Sequence, residues 1–174
     1  MFKKFITNNE QENSLYNHIL LLSRNKLFYT KFNLADTFQN RIHLIFIHIS
    51  FLFIKIKKNN KNEDYKFFYQ KIFDLIFNKI EINMREIGRG DVSVNKDMRL
   101  LVNNFYNILL YCENFKQKNQ SSKNAFWLKY FELNTKTKNT YNIALSDYFD
   151  KYEAFCFALS SDSVLKGELK FEYK

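Results

Sequence analysis

The stretch Met84-Arg85-Glu86-Ile87-Gly88-Arg89-Gly90-Asp91-Val92-Ser93-Val94 joins two long runs whose apolar residues have helical spacing. The chain has three glycines and no proline, and two of the glycines lie in this stretch. Because glycine adopts a positive φ at little cost, Gly88 is predicted to end the first helix as its C′ residue. Asp91 or Ser93 is predicted to be the N-cap of the next helix. The stretch therefore predicts a tight helical hairpin with Gly88 and Gly90 as its structural turn.

Two charged residues flank this turn. Arg85 lies in the last predicted helical turn, and an interaction with Asp91 or with the backbone at Glu86 would lock the hairpin. Ordinary capping and helix-dipole chemistry accounts for such a contact. The turn also offers an arginine beside exposed backbone donors, which is compatible with a recognition surface. In that case Arg85→Ala weakens partner binding more than it weakens stability.

The longest apolar run is Ile42-His43-Leu44-Ile45-Phe46-Ile47-His48-Ile49-Ser50-Phe51-Leu52-Phe53-Ile54. A transmembrane helix requires about 20 apolar residues, and this run is shorter and contains two histidines and a serine. It predicts a core helix that is buried on nearly all sides, with an interfacial or partner-binding helix as the alternative. Asp36-Thr37-Phe38-Gln39 resembles a capping box with Asp36 as the N-cap, so this helix should extend to about Lys58.

The remaining apolar periodicity predicts further helices at residues 14 to about 24, 63–87, 94–112, 124–133 and 141–159. A short terminal element contains Gly167 and Phe171. No alternating pattern indicates a strand. The sequence therefore predicts a flexible N-terminal tail at residues 1–13 and one all-α domain of about six to eight helices at residues 14–174.

Composition supports a folded protein with a basic surface. The 174 residues are 46% hydrophobic and 18% aromatic, enough for a core that needs no disulfide or metal. Residues 1–62 contain 10 Lys+Arg and 3 Asp+Glu, a balance of +7, out of a net charge of +9. This surplus suits anionic lipid head groups or RNA, or it simply keeps the protein soluble.

The two cysteines and the N-terminus bear on the compartment. Cys112 and Cys156 are isolated in apolar runs and form no Cys-x-x-Cys, so buried free thiols in a reducing compartment are expected. The first thirteen residues lack the apolar core of a secretory signal. We therefore expect a bacterial cytosolic protein.

No set of residues has the spacing of a catalytic or metal site. His43 and His48 are five residues apart, which places them on different sides of a helix, and His18 stands alone. Gly-x-Ser-x-Gly, a Walker loop and a dinucleotide fingerprint are all absent from the sequence. We expect core histidines, no catalytic residues, no metal, no cofactor and no enzymatic activity.

Residues 84–94 resemble the MREMGVGDLSV-type signature of the ubiquinol–cytochrome c chaperone family. Three further patterns agree: Asp36-Thr37 followed by Arg41 and the run through His48; Tyr69-x-x-Ile72-Phe73-Asp74; and Leu165-Lys166-Gly167-Glu168-Leu169-Lys170-Phe171. Together they cover about residues 15–171. Arg89 departs from the family's small or apolar residue, and Gln39-Asn40 replaces an acidic–glycine pair.

The resemblance implies an all-helical, non-enzymatic assembly factor of the cytochrome bc complex, of alphaproteobacterial type. The implied client is newly made cytochrome b with its apolar helices. Further implied partners are the ribosome or inner-membrane surface and a small partner protein, with no DNA. The implied location is the bacterial cytoplasm, peripherally at the inner membrane.

A chaperone for a membrane protein requires an exposed apolar groove with a polar rim. We hypothesise that the client or partner surface includes Arg41, Ile45, His48, Ile49, Phe53, Arg85, Glu86, Arg89 and Asp91. The alternative is a basic helical adaptor that binds RNA or the ribosome and has no client of its own.

Overall fold

The computed structural model describes residues 10–59, 64–134 and 139–173, and this part of the chain is all-α, as predicted. Its helices are α1 (Glu10–Ser23), α2 (Leu27–Thr30), α3 (Phe38–Asn59), α4 (Asp64–Glu86), α5 (Asp91–Cys112), α6 (Gln120–Tyr130), α7 (Asn139–Ala158) and α8 (Ser161–Leu165), with one 3-10 turn at Phe115–Gln117. An isolated antiparallel bridge joins Leu34 to Leu133. Within the described ranges, no helix has an apolar stretch long enough to cross a membrane.

Helix α3 forms the centre of the domain. Every side chain from residue 42 to residue 56 is buried. Helices α1, α4, α5, α7 and α8 all pack against α3. The prediction of a core helix buried on nearly all sides is confirmed. A helix that is apolar around its whole circumference has its lowest free energy when neighbouring helices cover all of it.

Two histidines lie inside this core as neutral rings. His48 Nδ1–H donates to the Leu44 carbonyl at 2.6 Å, and its Nε2 accepts from the Tyr148 hydroxyl at 2.9 Å. His43 Nδ1–H donates to the Tyr130 carbonyl at 2.6 Å. A carbonyl can only accept, so each Nδ1 must carry the proton. Burial lowers the pKa of His43, and it lowers the pKa of His48 to about 4. Both are core histidines, as predicted.

The start of α3 differs by one residue from the prediction. Thr37, and not Asp36, is the N-cap: its Oγ1 accepts the Asn40 N–H at 3.2 Å. The Asp36 carboxylate instead accepts two hydrogen bonds from the Arg41 guanidinium, at 2.7 and 2.8 Å. This bidentate pair lowers the pKa of Asp36 and holds its side chain outside the helix end.

The buried side chain of Asn40 joins two distant segments. Its Nδ2 donates to the carbonyls of Ala35 and Glu132 at 2.7 and 2.8 Å, and its Oδ1 accepts the Glu132 N–H at 3.0 Å. All three partners are backbone groups. Asn40 therefore fastens the loop before α3 to the chain that follows α6.

The glycine turn forms with a different N-cap. Gly88 has φ +86°, and its N–H bonds to the Arg85 carbonyl at 3.0 Å, which agrees with a C′ residue. Gly90, at φ −72° and ψ 157°, occupies the N-cap position of α5. Asp91 and Ser93 lie inside the first helical turn, so the prediction that either is the N-cap is wrong. Because Gly90 has an extended backbone, the turn ends at Gly90 and α5 begins at Asp91.

Aromatic packing shows that α4 and α5 are antiparallel. The Phe105 ring lies 5.5 Å from the Phe73 ring and 5.9 Å from the Phe77 ring, measured between centroids. Phe46 of α3 contacts both Phe77 and Phe105, at 5.5 and 5.3 Å. These rings bind the hairpin to the central helix.

Other helix boundaries differ from the predicted ones by a few residues. Residues 10–13, predicted as tail, belong to α1, while residues 1–9 of the predicted tail lie outside the described residues. Helix α6 begins at Gln120 and not at residue 124, because the Asn119 side chain accepts the Ser122 N–H at 2.8 Å and caps it. Residues 60–63, of which residue 63 was predicted to begin the next helix, and residues 135–138 lie outside the described residues.

The C-terminal segment closes against α1. Gly167 has φ +73°, and a Cβ at this position would lie 2.8 Å from the Gln11 carbonyl oxygen and the Leu15 nitrogen. Glycine is required here both for its conformation and for the close approach of the two backbones. Cys112 and Cys156 are buried and unpaired, as predicted.

Candidate functional site

The turn between α4 and α5 is closed by an ion pair. The Arg85 guanidinium donates to the Asp91 carboxylate across the turn and to the Glu81 carboxylate one helical turn earlier, at 2.9 Å. The predicted Arg85–Asp91 contact is therefore present. Pairing with Asp91 and then with Glu81 raises the pKa of Arg85 above its ordinary value. Arg85 thus remains charged and joins the end of α4 to the start of α5.

A second arginine holds the turn against the central helix. Arg89 donates to the Asp97 carboxylate, and its guanidinium lies over the Phe38 ring with the Cζ atom 5.9 Å from the ring centroid. Phe38 is the first residue of α3. The turn is therefore fixed at both of its arginines.

Apolar side chains stand in solvent beside these charges. Ile87 and Val92 flank the turn and are 59% and 86% exposed. Leu110 and Tyr106, farther along α5, are 63% and 45% exposed. A folded monomer gains nothing from apolar groups in water, so exposed apolar side chains that recur along one helix mark a candidate binding surface.

These residues follow one side of α5. Positions 92, 95, 99, 102, 106 and 110 are three or four apart, so their side chains line one side of the helix. A shallow hollow of about 540 Å³ lies on this side. We define the α5 outer face as Val92, Asn95, Met98, Arg99, Val102, Tyr106 and Leu110.

The predicted binding residues divide into exposed and buried sets. Arg41, Arg85, Glu86, Arg89 and Asp91 are exposed, and all except Arg41 lie at the glycine turn. Their role in binding stays a prediction.

The predicted binding residues on α3 need a correction. Ile45, His48 and Ile49 are enclosed in the core, so they cannot contact a client while α3 remains packed. Phe53 is also buried, although its ring forms part of the wall of a surface groove. The apolar run of α3 builds the scaffold, because five other helices cover it.

Sequence reasoning missed the apolar residues of the α5 outer face. Helical spacing predicts that Met98 and Val102 lie on the buried stripe with Leu101 and Phe105, but both are only partly buried. Val92, Tyr106 and Leu110 were not singled out. A signal was present: these three repeat at helical spacing on the side opposite Leu101 and Phe105. A second apolar side on one helix indicates a surface that its own domain does not cover.

The described residues give no sign of reactive chemistry. Within the described ranges, no group of three or more His, Cys, Asp or Glu side chains could hold a metal ion. Burial raises the pKa of the Cys112 thiol well above its usual value, which keeps it protonated and unreactive. The α5 outer face likewise joins apolar, amide and arginine side chains, a combination suited to binding.

Comparison with known proteins gives both a fold and a family. The crystal structure of a Cbp3 homolog from Brucella abortus is similar, with a TM-score of 0.80 over 95% of this chain and 91% of that chain, at 21% sequence identity. At this identity the likeness concerns the fold. No curated protein sequence matches the chain. The model of the family described as ubiquinol–cytochrome C chaperone matches residues 30–171, most of the sequence, and the chain therefore belongs to the ubiquinol–cytochrome c chaperone family.

Proposed function

We propose that this protein is a non-enzymatic chaperone that binds newly made cytochrome b and supports assembly of ubiquinol–cytochrome c reductase. Membership in the family supports an assembly role for that complex. The observation that carries the finer proposal is the α5 outer face, where apolar side chains remain in solvent after the domain has packed.

The length of this face suits a membrane helix. Residues 92 to 110 span about 27 Å at 1.5 Å per residue, close to the ~30 Å thickness of a bilayer's hydrocarbon core. An unassembled membrane helix exposes apolar side chains along the same length. Laid beside α5, it would cover Val92, Val102, Tyr106 and Leu110 and would itself be shielded from water.

The polar residues of the face suit a client that must leave. Asn95 and Arg99 interrupt the apolar side chains, so a bound helix would keep some polar contacts and water at the interface. Binding is then weaker than the packing that the client reaches inside its finished complex. Release follows from this difference in free energy without an energy-consuming step.

The glycine turn extends the proposed surface. Ile87 and Val92 supply exposed apolar groups, while Arg85, Glu86, Arg89 and Asp91 surround them with charge. Arg85→Ala removes the pair across the turn and should weaken client binding more than thermal stability. Equal losses in both would show that Arg85 serves only the hairpin.

Site-specific photocrosslinking in cells tests the proposal. A photoreactive amino acid at Tyr106 should crosslink to cytochrome b. The same group at Leu21, an exposed apolar position on α1, is the matched control and should not. A deletion strain should contain less assembled cytochrome b while other respiratory complexes persist. Normal cytochrome b in that strain would refute the proposal.

The alternative, a basic adaptor for RNA or the ribosome, is motivated by the net charge of +9. It requires binding that falls steeply as salt rises, because counterions are released on contact with phosphates. Capture of apolar helical peptides that is insensitive to salt and is lost in Tyr106→Lys would favour the chaperone.

A further inference from the structure

The last described residues form an extended segment that lies along α7. We call Leu169-Lys170-Phe171-Glu172-Tyr173 the closing segment. Leu169 is buried and Phe171 and Tyr173 are partly buried, while Lys170 and Glu172 are exposed. This alternation is that of an extended chain, in which successive side chains point to opposite sides. The closing segment therefore turns every second side chain towards the helices beneath it.

Helix α7 holds the two aromatic side chains of the closing segment. The centroid of the Phe171 ring lies 5.4, 5.1 and 5.2 Å from the ring centroids of Tyr148, Tyr152 and Phe155. These three residues of α7 are three or four positions apart, so they line one side of the helix, and we call them the α7 groove. Beside the groove, the Tyr173 hydroxyl donates to the Asp147 carboxylate at 2.8 Å.

Side chains alone hold the closing segment in place. The last backbone hydrogen bond before it is donated by the Glu168 N–H to the Ser163 carbonyl at 2.9 Å. Within the described part of the chain, no backbone N–H or carbonyl of residues 169–173 has a hydrogen-bond partner. Release of the segment therefore breaks no backbone hydrogen bond, and segments held in this way open locally while the rest of the domain stays folded.

The floor of the α7 groove is fixed from the core side. The Tyr148 hydroxyl donates to His48 Nε2 at 2.9 Å, and the Tyr152 hydroxyl donates to the His48 carbonyl at 3.3 Å. His48 belongs to the buried run of α3. Because the central helix holds both rings of the floor, the groove keeps its shape when the closing segment leaves. Such preformed apolar grooves are typical of binding sites.

We propose that the α7 groove binds an extended peptide segment of a partner protein, and that the closing segment occupies this groove as a displaceable internal ligand. The segment that the groove already holds defines the chemistry of the partner. The partner segment has large apolar or aromatic side chains at alternate positions, the last of which donates a hydrogen bond to Asp147. The inference goes beyond client binding and does not depend on it.

The groove suits an extended chain better than a helix. Phe171 and Tyr173 are two residues apart, and both contact the Tyr148 ring, at 5.4 and 5.2 Å between centroids. In a helix, residues two apart point to different sides and cannot share one contact in this way. The α7 groove therefore takes a different kind of ligand from the α5 outer face, for which we propose a helical client.

Binding of a fluorescein-labelled peptide with the sequence of residues 166–173 to the full chain is the first test. Phe171→Ala weakens the internal ligand, so F171A should bind the peptide at least tenfold more tightly than the wild type does. Phe67→Ala removes an exposed ring of α4 and is the matched control, which should bind like the wild type. A peptide with alanine in place of its phenylalanine should bind F171A at least tenfold more weakly. Equal binding of the first peptide by F171A and F67A would overturn the proposal.

Thiol labelling of the full chain keeps the test decisive if F171A folds poorly. Phe155→Cys places a thiol beneath the closing segment, and Ile143→Cys places one at an exposed position of the same helix as the control. The native thiols are buried and give little background. F155C should react more slowly than I143C. Tyr173→Ala, which removes the bond to Asp147, should speed labelling of F155C at least fivefold and leave that of I143C unchanged.

The urea dependence of labelling separates local release from global unfolding. Local release exposes little surface, so the labelling rate of F155C should change little at low urea, whereas labelling through global unfolding rises steeply. With Tyr173→Ala present, added peptide should slow the labelling of F155C and have no effect on I143C. If F155C is labelled with the full urea dependence of unfolding, or if the peptide gives no protection, the closing segment is a fixed part of the fold and the proposal fails.

Discussion

Helices α3 and α5 have the same length, 22 residues, and pack against each other, yet α3 is buried on all sides and α5 on only one. In α3, residues 42–56 are buried without interruption. In α5, Val94, Leu101, Phe105, Ile108 and Cys112 are buried, while Val92, Leu100, Tyr106 and Leu110 are exposed. Both helices have apolar residues on more than one side. What differs is the number of neighbouring helices.

The neighbours explain this difference. Helix α3 is surrounded by α1, α4, α5, α7 and α8. Helix α5 packs chiefly against α3 and α4, and α6 reaches only its end, where the Tyr111 and Phe126 rings stack at 4.0 Å. Apolar residues on the free side of α5 therefore have no cover within the domain. One helix is enclosed by the fold, and the other leaves an apolar side in solvent, where we propose that a client binds.

The largest expected effect is the loss of a ring from α3. Phe46→Ala removes a fully buried side chain that contacts Phe77 and Phe105, so it should lower the free energy of unfolding by about 3–5 kcal/mol. Phe67→Ala is the matched control on the exposed side of α4 and should cost no more than about 0.5 kcal/mol. Urea unfolding measures both, and similar losses would mean that burial does not distinguish these two phenylalanines.

The second effect is acid sensitivity centred on α3. Burial lowers the pKa of His48 to about 4, against an ordinary value of about 6.5, so between these pH values the unfolded chain binds a proton that the native chain does not. Stability is complete above pH 6.5 and falls as the pH drops towards 4, by up to about 3 kcal/mol from this residue. His43, whose pKa is also lowered, acts in the same direction.

Chemical unfolding across pH 4–7 checks this expectation. His48→Phe cannot be protonated, so its stability curve should be flatter over this range even if its stability at neutral pH is lower. A curve with the same slope as the wild type would show that His48 does not cause the acid sensitivity.

The smallest effect concerns the turn that leads into α5. Gly88→Ala places a Cβ on a residue with φ +86°, a conformation that strains an L-residue, and should lower the free energy of unfolding by about 1–2 kcal/mol. The Cβ would meet no other atom within 4 Å, so backbone strain is the whole of this cost. Gly90→Ser is the control: at φ −72° any residue fits, and the serine hydroxyl can cap α5, so stability should be unchanged or higher. Thermal melting of both variants ranks them, and a larger loss in Gly90→Ser would contradict this account.

Local patterns in the sequence were enough to predict most elements. The apolar periods predicted α3, α4 and α5 within a few residues, and the rarity of glycine marked the turn at Gly88. The predicted helix starts were wrong where a polar side chain had more than one possible hydrogen-bond partner. Asp36 paired with Arg41 and left the N-cap to Thr37, and Asn119 capped α6 four residues early. Such choices depend on geometry at single residues.

The sequence by itself determined the helical class, the central apolar helix, the buried thiols and histidines, and the family resemblance. These follow from periodicity and composition, which act over neighbouring residues. Only the tertiary structure decided which apolar side stays in solvent. Periodicity shows that Val92, Tyr106 and Leu110 share a side of α5, but exposure depends on whether a distant helix covers it. The same holds for the surface groove beside Phe53, whose wall comes from three helices that meet only when the chain has folded.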